Sequence, residues 1–332
     1  YYKTFMWPAS FWEKYEFFIR HSAGLGKSPT KKDPDIYDHR NIHCDVLVVG
    51  AGISGILAAK NAAKNNFKTL LIDEKNELGG ATIYQNKEFN KINNQGSSDW
   101  IKKEINELKN IDNLEVKTRT SVAAYHGYNY LLARENLTDH LEKKDKNNKV
   151  RQRLLKIRAK KVILATGALE RPLVFNNNDR PGIILSTAVK KYADFFGVKC
   201  GEKNVFFTNN DSAYESALCL HNKGIKVDAI VDIRDNSNSK IVKAVEQAGI
   251  KIYWSHTVVD TNGYRRLDNI SIMRLSNDGM TVTGKRINIS CDCLGVAGGW
   301  TPAVHLFTQS GGKLKFRDED QVFIPNTYPS DQ

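Results

Sequence analysis

Four consecutive apolar residues, Val46 to Val49, run into a cluster of glycines and then into a stretch rich in Ala and Leu. The run is short enough for a buried parallel strand, and residues 56–63 have the composition of a helix. Apolar residues 69–72 predict a second strand. Residues 100–108 place Trp100, Ile101, Ile105 and Leu108 on one helical face. Residues 114–124 alternate weakly, as a strand does. Residues 125–132 and 154–157 resemble two strands of an antiparallel meander, separated by a charged loop. Residues 161–167 form an apolar strand that ends in small residues.

The second half repeats this rhythm. A loop at 170–182 leads to a helix at 186–196, with Ser186 as its cap. Strand 204–207, helix 212–222, strand 226–232, helix 240–248 and strand 250–254 follow. Residues 270–275 and 281–289 predict a hairpin around Asp278-Gly279. Residues 290–302 predict a closing strand that returns to the first unit beside residues 165–167. The tail, with Phe323-Ile324-Pro325, has no clear final helix. Upstream, Ser10 is placed to cap a helix reaching Arg20, within an aromatic arm of residues 1–40.

The glycines give the first unit its chemistry. Gly50, Gly52 and Gly55 have the spacing G-x-G-x-x-G between strand and helix. Gly50 lets the chain turn, Gly52 leaves room for a pyrophosphate against the backbone, and Gly55 lets the helix pack closely. The helix N-terminus then faces the phosphates. Asp73-Glu74 follows the second strand, about 20 residues on, where such folds hold a ribose. Gly79-Gly80 opens the next turn.

The corresponding turn of the second unit, residues 208–213, contains no glycine. Its side chains fill the phosphate space, and Asp211 would repel a diphosphate. The expected fold is α/β: two Rossmann-like dinucleotide-binding folds, the second inserted in the first, with an N-terminal arm. The expected boundaries are 1–40 for the arm, 41–168 with 285–332 for the first fold, and 169–284 for the second.

Composition narrows the function. The formal charge is +12, from 49 basic and 37 acidic residues, but the lysines are scattered among asparagines. Residues 143–149 suit a solvated loop tip, so nucleic acid is not expected as a partner. No apolar run approaches a membrane span, and no signal peptide is recognisable. The five cysteines contain no C-x-x-C, so neither a disulfide framework nor a dithiol redox motif is expected, and the cytoplasm suits them. Cys291 and Cys293 are expected to share one strand face as small buried residues. No metal set is visible. His126, His256 and His305 are candidates for catalysis only by residue type, so the catalytic residues are left unassigned. The chain begins at Tyr1 rather than Met and is expected to be part of something longer.

Several segments resemble one family closely. They are Tyr2 to Pro8, Ala165 to Pro172, Asn178 to Gly182, Thr208 to Tyr214, and Gly298 to Pro302. Together they resemble the alpha-subunit family of heterotetrameric sarcosine oxidases, within the glutathione-reductase-like flavoproteins, over nearly the whole chain. The resemblance implies an oxidoreductase acting on a CH–NH donor, in which this chain binds NAD. It also implies a beta subunit carrying FAD, where sarcosine is demethylated, and FMN near the subunit boundary. An FAD-binding subunit of the opine-oxidase or pyridine-nucleotide type is the alternative.

Carried over residue by residue, the resemblance places Gly50, Gly52, Ile53, Ser54 and Gly55 at the pyrophosphate, with Ile53 replacing the usual Pro. Asp73, Glu74 and Lys75 would surround the ribose. Gly80, Ala81 and Val122 would lie nearby, and Ala165, Thr166 and Gly167 would flank the cofactor. Thr301, Leu306 and Thr308 would approach from the closing segment. The family's folate-binding and ferredoxin-like regions are not recognisable here, so no folate chemistry is expected of this chain.

Overall fold

The computed structural model describes residues 7–27, 30–85, 89–146 and 148–329. Most of the aromatic arm segment Tyr2 to Pro8 therefore lies outside the described residues. Two sheets organise the rest.

The first sheet has six strands, in the order Leu114–Lys117, Thr69–Ile72, Ile36–Val49, Val150–Leu164, Tyr130–Asn136 and Thr120–His126. The first four are parallel and the last two are antiparallel. The run Val46 to Val49 is nearly inaccessible because both its faces are covered. On one face Val46 and Val48 meet Ile56 and Ala59 of the helix Ile53–Lys64 and Ile101 of the helix Ser97–Leu108. On the other, Leu47 and Val49 meet Leu131, Leu155 and Ile157 of the meander, which curls over them.

The second sheet has five parallel strands, in the order Ile183–Leu185, Cys293–Ala297, Asn204–Thr208, Val227–Asp232 and Ile252–Tyr253. Its helices are Ser186–Asp194, Ser212–Asn222 and Lys240–Gln247. A three-stranded antiparallel sheet, His256–Asn262, Asn269–Leu275 and Val282–Ser290, covers its other face.

The chain crosses between the two sheets through a short antiparallel pair, Ala168–Glu170 with Trp300–Pro302. It then returns to the first sheet. The short helix His305–Gln309 places Leu306 against the meander core, and the Gln309 side chain accepts the Tyr125 N–H at 2.9 Å.

Several expectations from sequence need correction. The strand Cys293–Ala297 does not return beside residues 165–167. It lies inside the second sheet, between Ile183–Leu185 and Asn204–Thr208. Only Trp300–Pro302 makes the return. A boundary at 285 accordingly cuts through the strand Val282–Ser290. An apolar strand ending in glycines suits either sheet, so local pattern could not choose between them.

Cys291 and Cys293 do not share a face. The chain is irregular at Cys291-Asp292, so Cys291 packs against the three-stranded sheet and Cys293 on the helix side. The upstream helix is Trp12–Ser22, and Ser10 lies within a preceding 3-10 turn without capping it. The helix Ser186–Asp194 has Leu185 at its cap position. Residues 36–44, in part assigned to the arm, extend the first strand, whose polar half pairs with residues 150–159. The stretch 114–124 is two strands, broken at Arg119, where φ is +52°. The tail forms a hairpin, Lys313–Arg317 with Val322–Thr327.

Candidate dinucleotide site

The first strand-to-helix corner is bare main chain. Gly50 has φ +98°, and a Cβ there would lie 2.3 Å from the Ala165 carbonyl oxygen. A Cβ on Gly55 would lie 1.8 Å from the Gly50 oxygen. These two glycines therefore allow the turn, the helix and the neighbouring strand to touch. Gly52 is different: a Cβ there would meet nothing within 4 Å. It faces open space, and no side chain caps the helix Ile53–Lys64. This is the geometry in which a helix N-terminus offers its N–H groups to an anion.

Asp73 braces this corner from within. One of its carboxylate oxygens accepts the Ala51 N–H at 2.6 Å and the other accepts the Lys75 N–H at 2.8 Å. It is buried, whereas Glu74 beside it is exposed. The two acids expected to share one ribose are thus divided: Asp73 holds backbone and Glu74 is available to a ligand. Backbone bonds from Arg119 to Lys75 and from Thr120 to Asp73 draw residues 120–122 alongside.

A cavity of about 410 Å³ runs over the corner. Gly50, Gly52, Asp73, Glu74, Lys75, Gly80, Ala81, Val122, Ala165, Thr166 and Gly167 line it. Ile53, Ser54 and Gly55 do not line it; they form the first turn of the helix behind it. Thr301 pairs with Leu169 in the crossover, Leu306 is turned into the meander core, and the exposed Thr308 donates its hydroxyl to the His305 carbonyl. None of these three lines the cavity.

Thr120, Ser121, Ala168, Leu169, Ala303 and His305 do line it. Sequence reasoning did not assign them there. They arrive through tertiary pairing, such as the Thr166 hydroxyl donating to the Ala303 carbonyl at 2.7 Å. Of the candidate histidines, His126 lies at the tip of the meander against Tyr130, and the His256 ring bonds the Trp254 carbonyl. No cysteine lines the cavity. Burial raises Cys44 to about 11 and Cys291 and Cys293 to about 12, so their thiols are neutral.

The second corner is filled by its own side chains. The Asn210 carboxamide oxygen accepts the Ser212 N–H at 2.9 Å and the Ser212 hydroxyl at 2.6 Å. Its NH2 donates to the Ala297 carbonyl at 3.2 Å. Thr208 closes the turn through the Asn210 backbone. Arg234 is held by Asp211 and by the buried Asp232. A cavity of about 620 Å³ lies outside this corner; Asp211 and Glu215 line it together with Lys91 and Lys240.

A family model described as pyridine nucleotide-disulphide oxidoreductase matches residues 44–325. The chain belongs to this family. It is also homologous to the sarcosine oxidase alpha subunits. It is 36% identical to "Sarcosine oxidase subunit alpha" of Rhizobium meliloti (strain 1021) over 326 residues, 98% of this chain and 31% of that protein. The protein of the same name from Corynebacterium sp. (strain P-1) is 37% identical over 311 residues, 93% of this chain and 32% of that protein. The chain thus spans about a third of the length of these relatives.

Among solved structures, L-proline dehydrogenase from P. horikoshii is similar, with a TM-score of 0.62 and 22% identity over 91% of this chain and 50% of that one. Thioredoxin reductase from T. acidophilum gives a TM-score of 0.62 and 20% identity, covering 83% of each chain. These likenesses show the fold, α/β with two dinucleotide-type sheets. No helix among the described residues is long and apolar enough to cross a membrane.

Proposed function

We propose that this chain binds one dinucleotide, NAD, at the first corner, as the alpha-subunit portion of a sarcosine oxidase-like complex. The observation that carries this reading is the contrast at Gly52. Its missing Cβ leaves open space before an uncapped helix, while the second corner is plugged by Asn210 and Ser212. Such a cradle suits a diphosphate. Glu74 and Lys75 would hold the adenosine ribose, with Thr120 to Val122 beside it. Residues 165–169, Ala303 and His305 would flank the other half.

The dinucleotide, when bound, supplies a redox-active ring. The chain's own residues bind and orient it: main chain at Gly50 to Gly52 receives the diphosphate, and Asp73 fixes that main chain. Thiol exchange is not part of the proposal, since the cavity contains no cysteine. The proposed demethylation of sarcosine belongs to a flavin on a partner beta subunit, with FMN near the boundary. FAD in the first corner is the second reading. It is favoured by the extension of the cavity past Gly167 to Leu169, Ala303 and His305, which leaves room for a large ring system.

Mass identification of the copurifying small molecule, with a visible spectrum of the same sample, tests the proposal. NAD with no flavin absorbance from this chain is expected. A yellow chain that releases FAD favours the second reading, and a nucleotide-free chain that takes up neither cofactor overturns both.

A further inference from the structure

Along the strand Val150–Leu164, cations at alternate positions have different fates. Arg151 is paired with Asp35 and Asp139, and Arg153 with Asp38. Lys156 and Arg158, on the opposite face, form no ion pair among the described residues, and neither does Arg134 on the adjacent strand. Register puts these three on one surface. Leu154 lies opposite Arg134, Lys156 opposite Leu132, and Arg158 opposite Tyr130. The first strand adds His39 opposite Leu154 and His43 opposite Arg158.

This is the outer face of the meander, because Leu131, Ala133, Leu155 and Ile157 occupy the inner one. Apolar and cationic side chains alternate on it: Leu154 lies opposite Arg134 and is 40% exposed, and Leu132 lies opposite Lys156 and is half-buried. The Arg158 guanidinium lies over the Tyr130 ring, 4.8 Å from its centroid.

We propose that this sheet face docks a partner polypeptide that presents carboxylates interleaved with apolar side chains. The inference rests on reading the chain as one subunit of a complex, and it names the surface used. Cations without an ion-pair partner, interleaved with exposed or half-buried leucines on one sheet face, call for a partner that supplies carboxylates and apolar contact together, and their charge selects an acidic one. Two copies of this face would set cation against cation, so self-association through it is disfavoured. A nucleic acid would use the cations but gain little from burying Leu132 and Leu154.

The test co-expresses the chain, in the full polypeptide that carries it, with the beta-subunit homologue from the same genome. Association is then measured at low and high salt. The triple variant Arg134→Glu/Lys156→Glu/Arg158→Glu should associate about 10-fold or more weakly, with a flattened salt dependence. Its nucleotide content and circular dichroism should be unchanged. Lys156→Glu alone should give a smaller loss, and Lys243→Glu, on the second half, none. Equal association of wild type and triple variant overturns the surface. Failure of the wild type to bind the beta subunit at all instead overturns the subunit reading, and this inference with it. Tight, salt-sensitive binding of duplex RNA that the triple variant loses, with subunit association intact, also overturns the proposal.

Discussion

At residues 49–53 the chain passes from strand to helix with almost no side chain in the way, whereas at residues 208–212 the equivalent turn is filled by carboxamide, hydroxyl and carboxylate groups. Both corners end a central parallel strand and start a helix. In the first, the strand-end acid Asp73 supports the turn by accepting the Ala51 N–H. In the second, the strand-end acid Asp232 is spent on Tyr214 and Arg234. Neither helix is capped by the side chain of its N-cap residue, but in the second the Asn210 side chain, one residue further back, accepts the Ser212 N–H. The difference teaches that the architecture alone does not make a site. What sets the first corner apart is the open space that the missing Cβ leaves at Gly52.

The sharpest break of this comparison is Gly55→Ala. Its Cβ would overlap the Gly50 backbone oxygen, so a loss of about 4 kcal/mol in unfolding stability is expected. A variant as stable as wild type in urea would show that the close packing of this corner is wrong. Next is Gly52→Val, whose side chain enters free space. Stability should change little, but dinucleotide affinity should fall by at least about 100-fold, ~2.7 kcal/mol, in a calorimetric titration. Retained affinity would remove the functional meaning of the opening.

Glu74→Ala should weaken binding by about 1–3 kcal/mol through lost ribose hydrogen bonds while leaving the melting temperature alone. If stability falls instead, Glu74 is a structural acid like Asp73. The smallest effect is expected at the plugged corner. Asn210→Ala removes the acceptor for Ser212 and should cost about 1 kcal/mol of stability, with no change in nucleotide content. A gain or loss of bound nucleotide there would make the second corner a working site.

Much of the first corner was legible from residues 45–74, because each step is local: an apolar strand, glycines at fixed spacing, a helix and an acid after the next strand. The missing glycines of the second corner were legible for the same reason. The division of labour between Asp73 and Glu74 was not, since both are acids at adjacent positions and only the fold turns one inward. Nor was the placement of Cys293–Ala297. Its apolar run fits the interior of either sheet, and the choice depends on pairing with Ile183–Leu185 and Asn204–Thr208 far away in sequence. Likewise Ala303 and His305 reach the cavity only through the crossover pair.

The most direct test is the number of dinucleotides bound per chain, measured by equilibrium titration on wild type, Gly52→Val and Asn210→Ala. One equivalent is predicted for wild type and for Asn210→Ala, and none for Gly52→Val. Undiminished binding by Gly52→Val, or a second equivalent that disappears with Asn210→Ala, would contradict the account.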